Sequence, residues 1–549
     1  MNIRNIAIIA HVDHGKTTLV DQLLKKSDTL SEREHLEERA MDSNALERER
    51  GITILSKNTA IRYRDYKINI LDTPGHADFS GEVERIMKMV DGVLLVVDAF
   101  EGTMPQTRFV LKKALETNLK PIVVINKVDR EFARPQEVVD EVLDLFIELG
   151  ATDEQLDFKV TYISALRGTS SLSPDLSTQE PTMKPLLDLI ISEIPEPPVH
   201  PEGHLQFQGA LLDYNEYVGR MAVGRITRGI IHQNEFVTCL RNDGSKKDFR
   251  ILKLYSYLGL QKLEVEEAIA GDIVAVAGLP DINVGETLCE PGFEEALPPI
   301  SISEPTVEMY FSTNDSPFSG KEGKFLTSTK LDERLFRETQ KDVSLKVKRV
   351  GAGEEWIVSG RGELHLGILI ETMRREGYEF QVAKPKPIIK EVNGVKMEPF
   401  EDAVLDVPSD TVGTVMDLFG RRGGVLISME NNPGQSRLNY HIPSRGLIGL
   451  TTEFLTATRG YGTMSHIFLE YRKLESFAFG QRKLGVLVAV EEGKTTAYGI
   501  GQIEERGTLF VEPDEQVYEG QIVGECNKEE DLAVNVVKAK QQTNMRSSN

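Results

Sequence analysis

The sequence predicts a multidomain chain of α/β and α+β class: a P-loop nucleotide domain, a β-barrel, two ferredoxin-like α+β domains and a β-rich C-terminal domain. Three observations carry this. An apolar strand, Ile3 to Ile9, runs through Ala10-His11-Val12-Asp13-His14-Gly15-Lys16-Thr17 into a helical pattern from Thr18 to Lys26. Breaks at Pro195-Glu196-Pro197-Pro198 and Pro298-Pro299 enclose a stretch of short alternating strands. Two successive strand–helix–strand layers follow, and then a final strand-rich segment. A chain of 549 residues has room for about three to five domains.

The first element is a phosphate cradle by its chemistry. A strand, a Gly-Lys-Thr turn and a helix N-terminus bring backbone N–H groups and the positive end of a helix dipole to one place. Lys16 adds a full positive charge, Thr17 offers the hydroxyl that a phosphate-bound Mg²⁺ takes, and Asp13, His14, Gly15 and Thr18 complete the turn. The motif departs from its usual form at Ala10, where glycine is expected. His11 and His14 suggest no metal site, because no third or fourth ligand stands near them in sequence.

Four further segments follow in order. Arg50-Gly51-Ile52-Thr53 comes after a charged stretch, Ser31 to Glu49, that reads as a mobile loop; Thr53 there can complete a Mg²⁺ shell when a γ-phosphate is present. Asp72-Thr73-Pro74-Gly75-His76 ends the strand Ile68–Leu71, where Asp72 can hold the metal through water, Gly75 can present its N–H to the γ-phosphate, and His76 can orient an attacking water. Asn126-Lys127-Val128-Asp129 closes the strand Pro121–Ile125. A carboxylate at Asp129 accepts from the guanine N1–H and 2-amino groups, which adenine cannot offer, so this segment selects GTP over ATP. Ser164-Ala165-Leu166 follows Val160–Ile163 and supplies the loop that lines the base. The strands, Gly92–Val97 among them, are continuously apolar, as a parallel sheet covered on both faces requires. Together these segments make residues 1–198 a P-loop GTPase domain with GTP/GDP and Mg²⁺ as cofactors.

The remaining boundaries come from breaks and periodicity. Residues 203–300 read as a small antiparallel β-barrel with a turn at Asn242-Asp243-Gly244. Residues 301–388 carry helices expected at Leu331–Gln340 and Glu363–Gly377, and 396–480 a helix expected at Val412–Gly420, each within a ferredoxin-like layer. His365, on the second of these helices, reads as a packing residue rather than a catalytic one. The last domain is expected over 481–549.

Composition narrows the class. The net charge of −22 excludes indiscriminate nucleic-acid binding, although local basic loops can still meet RNA over about a Debye length. Cys239, Cys289 and Cys526 are isolated and odd in number, which suits a reducing cytoplasm. No apolar run spans a bilayer and the N-terminus has no signal-peptide pattern, so the expected location is cytoplasmic with no membrane partner.

Ala-His-Val-Asp-His-Gly-Lys-Thr, Arg-Gly-Ile-Thr and Asp-Thr-Pro-Gly-His resemble the translational GTPases, the group of elongation factor G, LepA and TypA/BipA; Ala10 is familiar within it. The interval Lys384 to Glu398 is too short to hold the tRNA-mimicking domain of elongation factor G. Four segments resemble the TypA/BipA family: Arg39–Asn44, Asn314–Lys324, Ile442–Gly449 and Val517–Gly524. The resemblance implies several roles that the residues alone do not establish. Val12 and Ile52 form an apolar gate around the attacking water, His76 swings through it when the large subunit's sarcin–ricin loop arrives, and Asp13 helps hold a cation. It implies ribosome-stimulated GTP hydrolysis, action in translation regulation, large-subunit assembly and cold or stress adaptation, and a monomer off the ribosome, with rRNA as a partner and tRNA and an alarmone nucleotide as open candidates. A LepA-like elongation modulator and a GTP-gated assembly scaffold, in which hydrolysis only times release, stay as alternatives. Near the end, Lys538, Lys540 and Arg546 are compatible with a solvated tail or an RNA contact; the resemblance implies the contact. It also implies a further basic stretch after Arg546, whereas the sequence stops at Asn549, so the last domain is expected to be incomplete.

Overall fold

The computed structural model describes residues 2–11, 13–27, 29, 57–74, 80–104, 106–300, 302, 304–351, 353–432, 434–475 and 484–540. The chain divides into two compact units, one of residues 1–313 with 323–474, the other of 314–322 with 475–549.

The first unit opens with a seven-stranded sheet. Its strands are β1 (Asn2–Ala10), β2 (Asn58–Tyr63), β3 (Tyr66–Asp72), β4 (Gly92–Asp98), β5 (Lys120–Asn126), β6 (Lys159–Ser164) and β7 (Thr169–Ser171), in the order β2-β3-β1-β4-β5-β6-β7. The central pairs are parallel, while β2 and β7 join antiparallel at the two edges. Continuous apolar runs follow from this: β4 is buried along its whole length because helices cover both faces. One core lies against the helix Lys16–Lys26, here α1, and holds Ile6, Ile8, Leu19, Leu23, Leu94, Val124 and Ile163. The other holds Ile9, Val93, Leu95, Val123, Val142 and Phe146. Three parallel strands, β1, β4 and β5, therefore end beside one another, and their C-terminal ends carry Ala10, Asp98 and Asn126.

The strand-rich module expected as a barrel is an eight-stranded, wholly antiparallel sheet built mainly on Gln206–Asn215, Gly219–Arg228 and Ile273–Ala277, with a two-stranded piece from Ile230–His232 and Glu267–Ile269. A buried polar lock fixes it to the first sheet. Lys67 of β3 donates to both carboxylate oxygens of Asp272 at 2.7 and 2.8 Å and to Ser256 Oγ at 2.6 Å. Asn5 of β1 donates to Asp91 Oδ2 and the Gly271 carbonyl, and Arg225 pairs with Asp91 at 2.8 Å. Burial raises the Asp91 pKa more than Arg225 and Asn5 lower it.

Two α+β layers follow. In the first, helices Ser328–Lys341 and Glu363–Arg375 cover an antiparallel sheet that includes Val307–Thr313 and Glu355–Gly360 around buried Trp356. In the second, Val395–Pro408 pairs with Gln435–Pro443 and Thr463–Lys473, and helices Val412–Arg421 and Leu450–Ala457 pack through Phe419 and Phe454. The long strand Val395–Pro408 carries polar residues along its first half and alternates between buried and partly buried positions along its second.

In the second unit, strands Val486–Ala489, Gly507–Leu509, Ile522–Cys526 and Leu532–Val534 form one sheet over a core of Leu487, Val517, Val523 and Val536. Phe318 stacks edge-on against Tyr518 at 5.1 Å within this unit. Among the described residues no helix is long and apolar enough to cross a membrane.

Candidate nucleotide-binding site

The turn from β1 to α1 is built around Gly15. Its φ of +91° lies in the left-handed region, and a Cβ there would sit 2.3 Å from Asn126 Nδ2. Only glycine satisfies both demands. Asn126, buried at the end of β5, donates through Nδ2 to the His14 carbonyl at 2.8 Å and accepts the Ala165 N–H on Oδ1 at 3.0 Å. One side chain thus joins the Gly-Lys-Thr turn to the Ser164-Ala165-Leu166 loop.

Lys16 lies at the start of α1 and pairs with Asp72 at 2.6 Å, while its Nζ also donates to the Thr73 carbonyl at 3.1 Å. Thr73 in turn donates through Oγ1 to the Ile8 carbonyl at 2.6 Å, fixing the end of β3 beside β1. Thr17 and Thr18 are half-buried in the first turn of the helix, and Asp13 is exposed with a φ of +62°. The Thr17 hydroxyl and the Asp72 carboxylate are the hard oxygen donors that suit Mg²⁺.

The His14 imidazole turns into the protein. Its Nδ1 accepts the Asp98 N–H at 3.3 Å, which leaves the proton on Nε2, facing Glu101 at 3.4 Å, and its ring meets His11 edge-on. Burial first, and the neighbouring His11 second, push its pKa down to about 4, so the ring is neutral near pH 7. The His14 N–H donates to the His11 carbonyl. His14 therefore braces the turn from within.

On the base side, Lys127 takes a φ of +60° and its Nζ pairs with Asp98 at 2.8 Å. Asp98 is fully buried, also pairs with Arg130 at 2.9 Å, and accepts the Phe100 and Glu101 N–H groups. Burial alone would raise the Asp98 pKa; Lys127 and the two amides outweigh it and hold the carboxyl below its ordinary value. Asp129, partly exposed, pairs with Arg167 at 3.0 Å. Ser164 and Ala165 are buried, whereas Leu166 is 82% exposed at the rim.

Of the residues singled out by sequence, the structure brings together Lys16, Thr17, Asp72, Asn126, Ser164 and Ala165 around the turn, with Lys127 and Asp129 on the base side. Val12, Ile52, Thr53, Gly75, His76 and Arg546 lie outside the described residues. Lys538 and Lys540 are exposed at the end of the second unit. Sequence reasoning passed over Asp98, Arg130 and Arg167. A signal for Asp98 existed, since it ends an apolar strand as Asp72 does; nothing comparable marks Arg167.

The chain is similar to known families over nearly its whole length. The elongation factor Tu GTP binding domain matches residues 1–196, elongation factor Tu domain 2 matches 219–289, elongation factor G domain III matches 326–384, the elongation factor G C-terminus matches 395–480, and the TypA/BipA C-terminal domain matches 484–549. Curated relatives named large ribosomal subunit assembly factor BipA are 59% identical in Bacillus subtilis (strain 168), covering 100% of this chain and 89% of the relative, and 52% identical in Salmonella typhimurium, covering 100% and 90%. The relative of the same name from Synechocystis is 53% identical over 100% of this chain and 91% of its own. A crystal structure of a Thermus thermophilus protein shares the fold with a TM-score of 0.60 at 18% identity, covering 86% of this chain and 98% of that one. The protein is a GTPase that binds guanine nucleotides with Mg²⁺, and with the C-terminal domain particular to that group present, the chain belongs to the TypA/BipA family.

Proposed function

We propose that this chain is a cytoplasmic, ribosome-stimulated GTPase that acts in assembly of the large ribosomal subunit and in translation under cold or other stress. Similarity along the whole chain, at 52–59% identity, to relatives named large ribosomal subunit assembly factor BipA carries this reading. The match of residues 484–549 to the TypA/BipA C-terminal domain favours it over a LepA-like role.

In this reading Lys16 and the N–H groups of Asp13, Gly15 and Thr18 bind phosphate oxygens, with His14 shaping the turn that presents them. Thr17 and Thr53 ligate Mg²⁺, and Asp72 holds it through water. Asn126, Lys127, Asp129 and the Ser164-Ala165-Leu166 loop hold the guanine. Gly75 and His76 face the γ-phosphate and the attacking water, and Val12 and Ile52 close over it. The sarcin–ricin loop is the trigger, Lys538, Lys540 and Arg546 contact RNA, and tRNA and alarmone nucleotides are further partners of a monomeric free protein. Intrinsic turnover is then slow and depends on a partner to complete the transition-state electrostatics.

The test is sedimentation with ribosomes and with separated subunits under a GTP analogue, GDP or an alarmone, together with GTP turnover of His76→Ala. Binding restricted to the triphosphate-like state, and loss of stimulation in His76→Ala at unchanged GTP affinity, are expected. Nucleotide-independent binding, or full stimulation in the variant, would refute the reading.

A further inference from the structure

Asp129 and Arg167 lie in two turns whose backbones are held by other bonds. In the first turn the Val128 N–H donates to the Ile163 carbonyl at 3.3 Å, and the Arg130 N–H to the Lys127 carbonyl at 3.0 Å. In the second, the Ala165 N–H donates to Asn126 Oδ1 at 3.0 Å, the Arg167 N–H to Ser164 Oγ at 3.3 Å, and the Gly168 N–H to the Ser164 carbonyl at 2.9 Å. Gly168 closes this turn with a φ of +67°, and a Cβ there would lie 2.7 Å from Gln22 Oε1 of α1. The Arg167 side chain, by contrast, is 66% exposed and has room to swing.

The cations on the base side divide between two carboxylates. Lys127 and Arg130 both pair with Asp98, at 2.8 and 2.9 Å, and the Arg130 guanidinium also lies 5.3 Å from the centre of the Phe100 ring. The cation on Asp129 is Arg167, whose Nε lies 3.0 Å from Oδ2. Beside that arginine only 19% of the Asp129 side chain is open to solvent.

The guanine N1–H and 2-amino groups are donors on a planar N–C–N unit. A guanidinium presents the same unit with a positive charge added. A carboxylate that receives both donors of such a unit must offer both of its oxygens. With Arg167 against Oδ2 and so little of Asp129 open, arginine and base exclude one another. Exchanging them requires no backbone change, because neither turn depends on the Asp129–Arg167 pair. It takes only a side-chain rotation, which exposed residues complete in ps to ns.

We propose that Arg167 is a built-in competitor of guanine: it takes Asp129 as the base edge leaves, weakens GTP and GDP binding alike, and hastens GDP release without changing which base is chosen. This rests on the reading of Asp129 as the acceptor of the guanine edge. The size of the effect is bounded, since a solvent-exposed ion pair carries a preference of at most about fivefold.

The test uses the full chain and a fluorescent GDP, with binding and chase followed by stopped flow, comparing wild type, Arg167→Ala, Asp129→Asn and the double variant. Arg167→Ala is expected to bind GDP and GTP about two- to fivefold more tightly, with most of the gain in slower GDP dissociation. In about 1 M KCl, where charges are screened beyond about 3 Å, wild type and variant should agree within about 1.5-fold. On the Asp129→Asn background, with xanthosine diphosphate as ligand, adding Arg167→Ala should change affinity by less than about 1.5-fold, because the amide offers the arginine no charge to pair with. Unchanged or weaker binding by Arg167→Ala, a gain that persists in full at high salt, or the same gain on the Asp129→Asn background overturns the proposal. Guanosine preference kept by Asp129→Asn would remove the reading of Asp129 and the competitor with it. A switched preference together with no gain from Arg167→Ala removes the competitor alone.

Discussion

Asn126 is bonded to His14 across 112 residues of sequence: its Nδ2 donates to the His14 carbonyl at 2.8 Å, while its Oδ1 takes the Ala165 N–H at 3.0 Å. The phosphate-side turn and the base-side loop are therefore joined through one buried side chain into a single constellation. Gly15 sits against that amide with a φ of +91°, and its Cβ position lies 2.3 Å from Nδ2.

Gly15→Ala should accordingly displace Asn126 and strain the backbone together. Fluorescent GDP titration is expected to show affinity reduced by about 100-fold or more, from backbone strain plus two buried hydrogen bonds lost, at roughly 1–3 kcal/mol each. Helix content by circular dichroism should be unchanged. Near-normal affinity would mean that the turn has another conformation available.

Asp98→Asn removes a buried charge that faces Lys127 and Arg130 at 2.8 and 2.9 Å while keeping the acceptor for the Phe100 N–H. Lys127, whose backbone takes a φ of +60°, then loses the carboxylate that its Nζ faces. Affinities for GTP and GDP should fall in parallel, about tenfold, with KM raised and kcat for saturating GTP kept. Adding Lys127→Met should cost little more, because both changes remove the same interaction. Multiplying effects would show that Asp98 acts only through general stability.

Asp129→Asn tests base selection. An amide in place of the carboxylate presents one acceptor and one donor, which match the N1–H and 2-carbonyl edge of xanthine and leave the guanine 2-amino group opposed. Competition titration should show preference moving from guanosine to xanthosine diphosphate. The Arg167 pair to Asp129 should matter far less: its guanidinium is 66% exposed, and such pairs contribute about 0–1 kcal/mol. Arg167→Ala is expected to leave the guanine preference intact.

Much of this was legible because the decisive signals are local. A continuously apolar strand followed by Gly15-Lys16-Thr17, and carboxylates at strand ends, report a parallel sheet and its C-terminal edge without any tertiary knowledge. The helices Lys16–Lys26, Ser328–Lys341 and Glu363–Arg375 fall within a few residues of where periodicity sets them, and their ends differ because first and last turns carry polar residues. What the sequence hides is pairing at long range. Nothing local says that Asn126 meets His14, that Asp98 gathers Lys127 and Arg130, or that Arg361 reaches Glu82 over 279 residues. Arg361 looks like an ordinary charged residue until the fold buries it. The direction of His14 was equally invisible: the motif places it in the turn, but only the path of β4 turns its imidazole to the Asp98 amide.

The lock between the first sheet and the strand-rich module should show the asymmetry of buried ion pairs. Lys67 and Asp272 are 9% and 10% exposed. Asp272→Asn leaves the lysine charge buried and is expected to destabilise the first unit by about 3–5 kcal/mol in urea unfolding. Lys67→Met combined with Asp272→Leu removes both charges and should recover most of that loss. A double variant worse than the single would mean that the surrounding Asn5, Asn69 and Ser256 network, not the charge pair, governs the interface.

Acid stability follows from His14. Its pKa is pushed down to about 4 in the folded chain, whereas an unfolded histidine titrates near 6.5. Above pH 6.5 both states carry a neutral ring and the site's contribution is whole. Between pH 6.5 and 4 the unfolded chain takes up a proton that the folded chain refuses, so stability is lost as pH falls through that window, on the order of 3 kcal/mol in all. The depressed carboxyls of Asp98 and Asp342 also cost stability on acidification, but their ordinary range lies lower, near the end of this window. His14→Asn keeps an acceptor for the Asp98 N–H and cannot be protonated. Urea midpoints measured from pH 7 to 4.5 should fall steeply in the wild type and flatten in the variant, and equal slopes would show that the imidazole is more accessible to protons than its burial beside His11 and Asp98 implies.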